Sequence, residues 1–270
     1  MSWVRELDAR QRAMLDEMGV KVWTPLPTTT PAPAPTAAVA PPPAPAAPTA
    51  APPMRAPAAA AVAAPPTPTH PTPARPVDTS AVASLDWDAL RQAVTGCQAC
   101  GLCQSRRQTV FGTGHGQARW MIVGEAPGEQ EDRQGEPFVG PAGQLLDAML
   151  RATGRDRRTE AAGGVYIANV LKCRPPANRN PAPDEVLRCE PFLARQVALV
   201  QPKLIMAMGR FAVQSLLRTT EPIGRLRGRV HRYEGVPVIV TYHPAYLLRN
   251  PADKAKAWAD LCLALDQPLD

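Results

Sequence analysis

Four short apolar runs punctuate the chain beyond residue 119, and stretches with helical periodicity separate them. Trp120–Val123, Val165–Leu171, Lys203–Met208 and Pro237–Thr241 read as buried strands. In Gly140–Ala152, Leu145, Leu146, Met149 and Leu150 share one side of a helix. Asp184–Val200 is a second helix, with Asp184 as its N-cap or first-turn residue. Gly209 opens a third that runs through Leu217, and Pro251–Leu265 forms a last one. A further helix, Ser84–Val94, precedes the first strand, with Leu85, Leu90 and Val94 at helical spacing. Strands alternating with helices predict a three-layer α/β/α sandwich around a central four-stranded, mainly parallel sheet. No internal repeat is present.

Composition confines that fold to part of the chain. Of the 33 prolines, 19 fall between Thr24 and Ser80, where the only charged residues are Arg55, Arg75 and Asp78. Proline fixes φ and lacks an amide hydrogen, so residues 24–80 predict a disordered Ala/Pro-rich linker. Residues 81–270 remain as one folded domain, and 1–23 as a short amphipathic helical peptide. Charges throughout residues 1–23 exclude a secretory apolar region, and the prolines interrupt any membrane span, so a cytoplasmic protein outside the membrane is expected. The net charge is +6, of which residues 81–270 carry +5 (24 Lys and Arg against 19 Asp and Glu). That surplus suits a polyanionic partner without specifying one.

Two segments carry candidate chemistry. Gly124-Glu125-Ala126-Pro127-Gly128 leaves the first strand, and His243-Pro244-Ala245-Tyr246-Leu247-Leu248 follows the fourth. Both therefore belong at the carboxyl rim of the sheet, where open α/β sheets place their sites. Cys97 and Cys100 form a C-x₂-C pair, Cys173 closes the second strand, and Cys189 lies in a helix. Four thiolates from these positions suit either zinc or an iron–sulfur cluster. Cys103 is a spectator or an alternative ligand, and Cys262 reads as a buried thiol on the last helix.

CQACGLCQSR, VFGTGHGQARWMIVGEAPGEQED, GEPFVGPAGQLLDAML, VYIANVLKCRPPANRNPAPDE and TYHPAYLLRNP, in this order, resemble the family four uracil-DNA glycosylases. That family is an iron–sulfur branch of the uracil-DNA glycosylase superfamily, and the likeness runs from about Ser84 to Leu265. It implies a monofunctional enzyme that flips uracil out of single- or double-stranded DNA and hydrolyses its N-glycosidic bond, starting base excision repair. It also implies one 4Fe-4S cluster, held by Cys97, Cys100, Cys173 and Cys189, with a structural role. By the same likeness Phe138 stacks on the base and Glu131 crowds its C5 position against thymine. Asn169, an amide inside an apolar strand, can read the O4/N3 edge, where cytosine presents the opposite pattern. His243 is placed to stabilise charge on O2, and Glu125 with the backbone of Ala126 to bind uracil or position water. The best-known branch of the superfamily has an aspartate at the position of Ala126. Here either Glu125 or electrostatic stabilisation of the sugar cation must substitute. No lysine is placed in the pocket, so water attack and an intact abasic product are expected.

DNA contacts are expected from several further residues. Leu247 and Leu248 would wedge into the vacated stack. Arg174, Arg179 and Arg249 would meet phosphates. Gly140 and Gly143 would offer amides at a helix start. A non-catalytic iron–sulfur DNA-binding module is the rival class, and Glu125, Phe138, Asn169 and His243 argue against it. A branch that links covalently to abasic DNA through a loop histidine is disfavoured, because KCRPPANRNPAPDE has none. A monomer is expected. Residues 1–23 predict a docking peptide for a replication-machinery partner. Their Leu-x-x-Met-Gly-Val-x-x-Trp pattern loosely resembles the N-terminal peptide of the clamp-loader psi subunit, which binds the chi subunit.

Overall fold

The computed structural model describes residues 79–159 and 163–268, together with Ala13 and Glu17, which are helical. The remainder of the expected N-terminal peptide, and the linker up to residue 78, lie outside the described residues.

The four apolar runs form the centre of the sheet. β2 (Trp120–Gly124), β3 (Val165–Asn169), β4 (Leu204–Met208) and β6 (Val236–Thr241) are mutually parallel, in the spatial order β3-β2-β4-β6. The expected four strands are only the core of a six-stranded sheet. β1 (Thr113–Gly114) adds antiparallel to β3, and β5 (Val230–Tyr233) adds antiparallel to β6. β1 is two residues long, and β5 reads VHRY with mostly solvent-facing side chains, so neither shows a buried apolar run. Both caps shorten or polarise an edge that would otherwise invite pairing with another chain.

Alternation along each central strand splits the core into two layers. Trp120 and Ile122 of β2 point to one face. There they meet Leu146, Met149 and Leu150 of α4 (Pro141–Ala152) and Trp258 and Leu261 of α9 (Lys254–Leu265). Met121 and Val123 point to the other face. Their partners there are Leu193 and Val197 of α5 (Pro183–Val200) and Val213 and Leu216 of α6 (Arg210–Leu217). This is the expected three-layer sandwich. Among the described residues no helix is long and apolar enough to cross a membrane.

The segment before β1 clasps the outer side of α5. α1 (Thr79–Ala83) and α2 (Trp87–Thr95) place Val82, Leu90 and Val94 against Phe192. Asp86 caps α2 by accepting from the Ala89 amide at 2.9 Å, the contact expected of an N-cap aspartate. α3 (Glu129–Gln134), α7 (Ile223–Leu226) and α8 (Pro244–Arg249) are short helices in the loops at the carboxyl rim.

Candidate active site

β2 is flanked by β3 on one side and β4 on the other, so the chain leaves the carboxyl end of this sheet in two directions. That reversal opens a crevice. A cleft of about 900 Å³ lies there, lined from the turn after β2, the ends of β3 and β4, and the start of α8. Glu125, Ala126, Glu131, Phe138, Asn169 and His243 all line it, with Arg179 and Arg249. The six residues expected to meet a base are therefore brought together.

Phe138 is held from both sides. Its φ is +57°, a left-handed conformation that a bulky side chain keeps only when its surroundings enforce it. Two glycines supply the room. A Cβ on Gly124 would stand 2.6 Å from Phe138 Cζ, and one on Gly143 would run into the Phe138 carbonyl oxygen. Arg157 braces the loop from outside, donating to Pro137 O at 2.9 Å while bonded to Asp147 at 2.7 Å. The ring is 6% exposed and stacks beside the His243 imidazole.

Glu131, expected to crowd C5, is engaged by backbone amides. One carboxylate oxygen accepts from Gly128 N at 3.0 Å, and the other from Val139 N at 3.1 Å and Gly140 N at 3.4 Å. It therefore buckles the Gly-rich turn to the Phe138 loop.

Asn169 ends β3 opposite Gly124 and is 2% exposed. Its Oδ1 is buried and accepts no hydrogen bond from the protein. Buried polar atoms are rarely left so, and an orphan acceptor in a cleft wall marks a place for a ligand donor.

His243 caps α8, its Nδ1 accepting from Ala245 N at 3.1 Å. That bond assigns the acceptor lone pair to Nδ1 and the ring proton to Nε2. Burial pushes the imidazole down to about 4, Arg249 adds to this, and Glu131 opposes it. The ring is therefore a neutral N–H donor at physiological pH. Burial raises the Glu125 carboxyl above its ordinary value, and the Arg210 guanidinium draws it back.

The structure bears on several of the expected DNA contacts. Leu247 is fully buried in the core beneath α8 and cannot wedge into a base stack, whereas Leu248 is 44% exposed. The amides of Gly140 and Gly143 are not free, because the first donates to Glu131 and the second to Gly140 O at 2.8 Å. Gly143 instead serves close packing under Phe138. Arg174 is tied to Asn178 at 2.8 Å and lies 3.6 Å from Glu129, outside the cleft lining. Arg179 lines the cleft but is bonded through two nitrogens to Glu185, at 2.9 and 2.5 Å.

A second, apolar pocket gathers the thiols of Cys97, Cys100, Cys103, Cys173 and Cys189. Burial pushes Cys100 up to about 11 and Cys189 up to about 12. Two donors are aimed at sulfur: Arg106 Nη1 at 3.0 Å from Cys173, and Lys172 N at 3.3 Å from Cys189. Among the described residues, no group of three or more His, Cys, Asp or Glu side chains is disposed to hold a metal ion.

Sequence reasoning missed four residues around the site. Gly209, at φ +90°, brings the end of β4 against His243, where a Cβ would stand 3.0 Å from the histidine Cβ. Arg210 lines the cleft and acts on Glu125. Lys172 and Gln196 lie behind the cleft, fully buried. A lysine in an apolar strand end was the available signal for the last pair.

Residues 111–262 match the family described as the Uracil DNA glycosylase superfamily. The chain is 43% identical over 176 residues to a type-4 uracil-DNA glycosylase of Archaeoglobus fulgidus, covering 62% of this chain and 85% of that protein. It is 40% identical over 194 residues to a type-4 uracil-DNA glycosylase of Pyrobaculum aerophilum, covering 69% and 96%. A type-4 uracil-DNA glycosylase of Thermotoga maritima is 40% identical over 171 residues, covering 63% and 86%. The family match spans the strands and turns that build the cleft, and the chain belongs to the uracil DNA glycosylase superfamily.

Proposed function

We infer that this protein is a uracil-DNA glycosylase, which hydrolyses the bond between uracil and deoxyribose to start base excision repair. The observation that carries the reading is the orphan Oδ1 of Asn169 in a cleft shared with Phe138, His243 and Glu125. A flipped uracil stacks on Phe138. Asn169 Oδ1 accepts from N3–H, and its Nδ2 donates to O4. Cytosine would set a lone pair against Oδ1 and an amino group against Nδ2, so it is rejected at both atoms.

As the bond from C1′ to N1 breaks, its electron pair passes to uracil, and the charge is shared with O2. His243 Nε2–H, already neutral and fixed by its cap, donates to that oxygen as the charge grows. Water adds to C1′ and gives its proton to Glu125, since the other carboxylate of the cleft, Glu131, already accepts from three backbone amides. The sugar keeps a hydroxyl and the strand stays intact. The cleft is complete within one chain, which supports action as a monomer.

Cys97, Cys100, Cys173 and Cys189 hold a 4Fe-4S cluster in this reading. Support comes from their convergence on one apolar pocket and from N–H groups aimed at two of the sulfurs. When bound, the cluster supplies a cross-link between the segment after α2, the loop after β3 and α5. Cys103 lines the same pocket as a fifth thiol outside the ligand set.

The test is release of free uracil from single- and double-stranded oligonucleotides. Abasic sites that break only in alkali are expected. Nicking without alkali, or no release by iron-replete protein, would overturn the reading.

A further inference from the structure

We propose that Lys172 and Gln196 are positioning residues for Asn169, and that they set how well the cleft tells uracil from cytosine. The proposal rests on the function inferred above.

Lys172 is 1% exposed and Gln196 is fully buried. The lysine Nζ donates to the Asn169 carbonyl oxygen at 2.7 Å and to Gln196 Oε1 at 2.6 Å. Gln196 Nε2 in turn donates to Phe111 O at 2.8 Å and to the Tyr166 hydroxyl at 3.1 Å. One chain of bonds thus runs from α5, through an ammonium, to the residue that carries the orphan acceptor. Neither Lys172 nor Gln196 lines the cleft, so neither can touch the base.

Burying an ammonium is unfavourable, and for packing alone a leucine or methionine would serve as well or better. A charge kept in such a place has a directional task. Asn169 is the last residue of β3; Val170 N still donates to Gly124 O at 3.0 Å and Leu171 N to Glu125 O at 3.1 Å before the loop that carries Cys173 begins. The bond from Lys172 adds a side-chain anchor to the Asn169 carbonyl at the point where the regular strand ends. It thereby fixes the plane from which the side chain projects. Misplacing a recognition group by about 1 Å can cost roughly 10²-fold in rate. Lys172 also donates its backbone N–H to Cys189 sulfur, so the same residue touches the thiol pocket and the reader of the base edge.

The experiment is a double-mutant cycle on the full-length, iron-replete protein. Lys172→Met and Asn169→Ala are made singly and together, with single-turnover excision and inhibition by free uracil as readouts. Iron content and melting temperature are checked for each variant. Lys172→Met should slow excision and weaken uracil inhibition, each by about tenfold or more, the loss expected for one bond from a charged donor. In the Asn169→Ala background the same change should do almost nothing. Equal losses in both backgrounds would overturn the relay and leave the reading of the cleft standing. Full activity of Asn169→Ala alone would sink the reading of the cleft, and the relay with it. If Lys172→Met loses iron or fails to fold, Gln196→Met removes the bond that anchors the Lys172 ammonium to α5, so that its hold on the Asn169 carbonyl is no longer fixed, and the cycle is run with it against the same two outcomes.

Discussion

The rings of Phe138 and His243 stack with their centroids 5.3 Å apart and their planes 26° apart. The proposed platform for the base and the proposed donor to its O2 thus form a single packed unit. Each limits the freedom of the other, which suits a donor that must already be aimed when charge develops. His243→Ala should slow single-turnover excision by about 10²-fold or more. Asn169→Ala should also weaken inhibition by free uracil and relax the rejection of cytosine. Near wild-type rates for both variants would show that the catalytic groups lie elsewhere.

The depressed His243 pKa has a definite sign. The unperturbed imidazole titrates near 6.5 and the folded one at about 4, so between these values the unfolded state binds more protons. Stability from this group is complete above pH 6.5 and is lost as pH falls through that window towards 4. Excision should show no inflection from His243 near pH 6.5, and an NMR titration of its ring should stay flat there. An imidazole that titrates at its ordinary value would contradict the neutral donor.

Gly124 carries a prediction about space. A Cβ there would meet both the Phe138 ring and Asn169 Oδ1. Gly124→Ala should therefore lower excision by about 10²-fold through displacement of pocket groups. Its stability cost should stay within about 1–3 kcal/mol, typical of overpacking. Kinetics and thermal melting of the same sample separate the two effects. Unchanged kinetics would mean that the loop shifts freely, against the bracing described for Phe138.

The two leucines of α8 should separate cleanly. Leu247→Ala removes a fully buried side chain and should destabilise the fold by about 2–5 kcal/mol. Leu248→Ala should leave melting unchanged and reduce excision from duplex more than from single-stranded DNA, because only the duplex has a stack to fill. A duplex-specific defect in Leu247→Ala with no loss of stability would reverse the assignment.

The thiol pocket predicts a pattern of iron retention. Wild-type protein should carry about four irons per chain at full occupancy. Cys173→Ala and Cys189→Ala should lose iron and solubility together, while Cys262→Ala keeps both. Cys103→Ser should also keep its iron, although this thiol lines the same pocket. Iron loss in Cys103→Ser would redraw the ligand set, and a colourless zinc protein of equal activity would remove the cluster.

What could be read from the chain follows the physics of each element. Trp120–Val123 and Lys203–Met208 are unmistakable, because a parallel strand covered on both faces must be apolar throughout. Thr113–Gly114 and Val230–Tyr233 are hidden, because edge strands are short and carry polar side chains outward. The cleft residues were legible as residue types at strand ends and turns. Which of Leu247 and Leu248 faces solvent was not, since the phase of a six-residue helix depends on what packs beneath it. Gly143 was misread for a related reason. A glycine at a helix start suits a phosphate or a close neighbour equally well, and only the position of Phe138 decides. Lys172 stood out as a lysine at an apolar strand end, but its partner could not be named, because Gln196 lies on α5, 24 residues further along the chain.

The left-handed backbone at Phe138, wedged between Gly124 and Gly143, bears on when the protein surrenders its conformational freedom. A loop that ordered only around the base would subtract its lost entropy from every binding event. Here that freedom is given up once, when the chain folds. Capture of uracil then requires rearrangement chiefly of the DNA, so the pace of recognition follows how readily the nucleotide leaves its own stack.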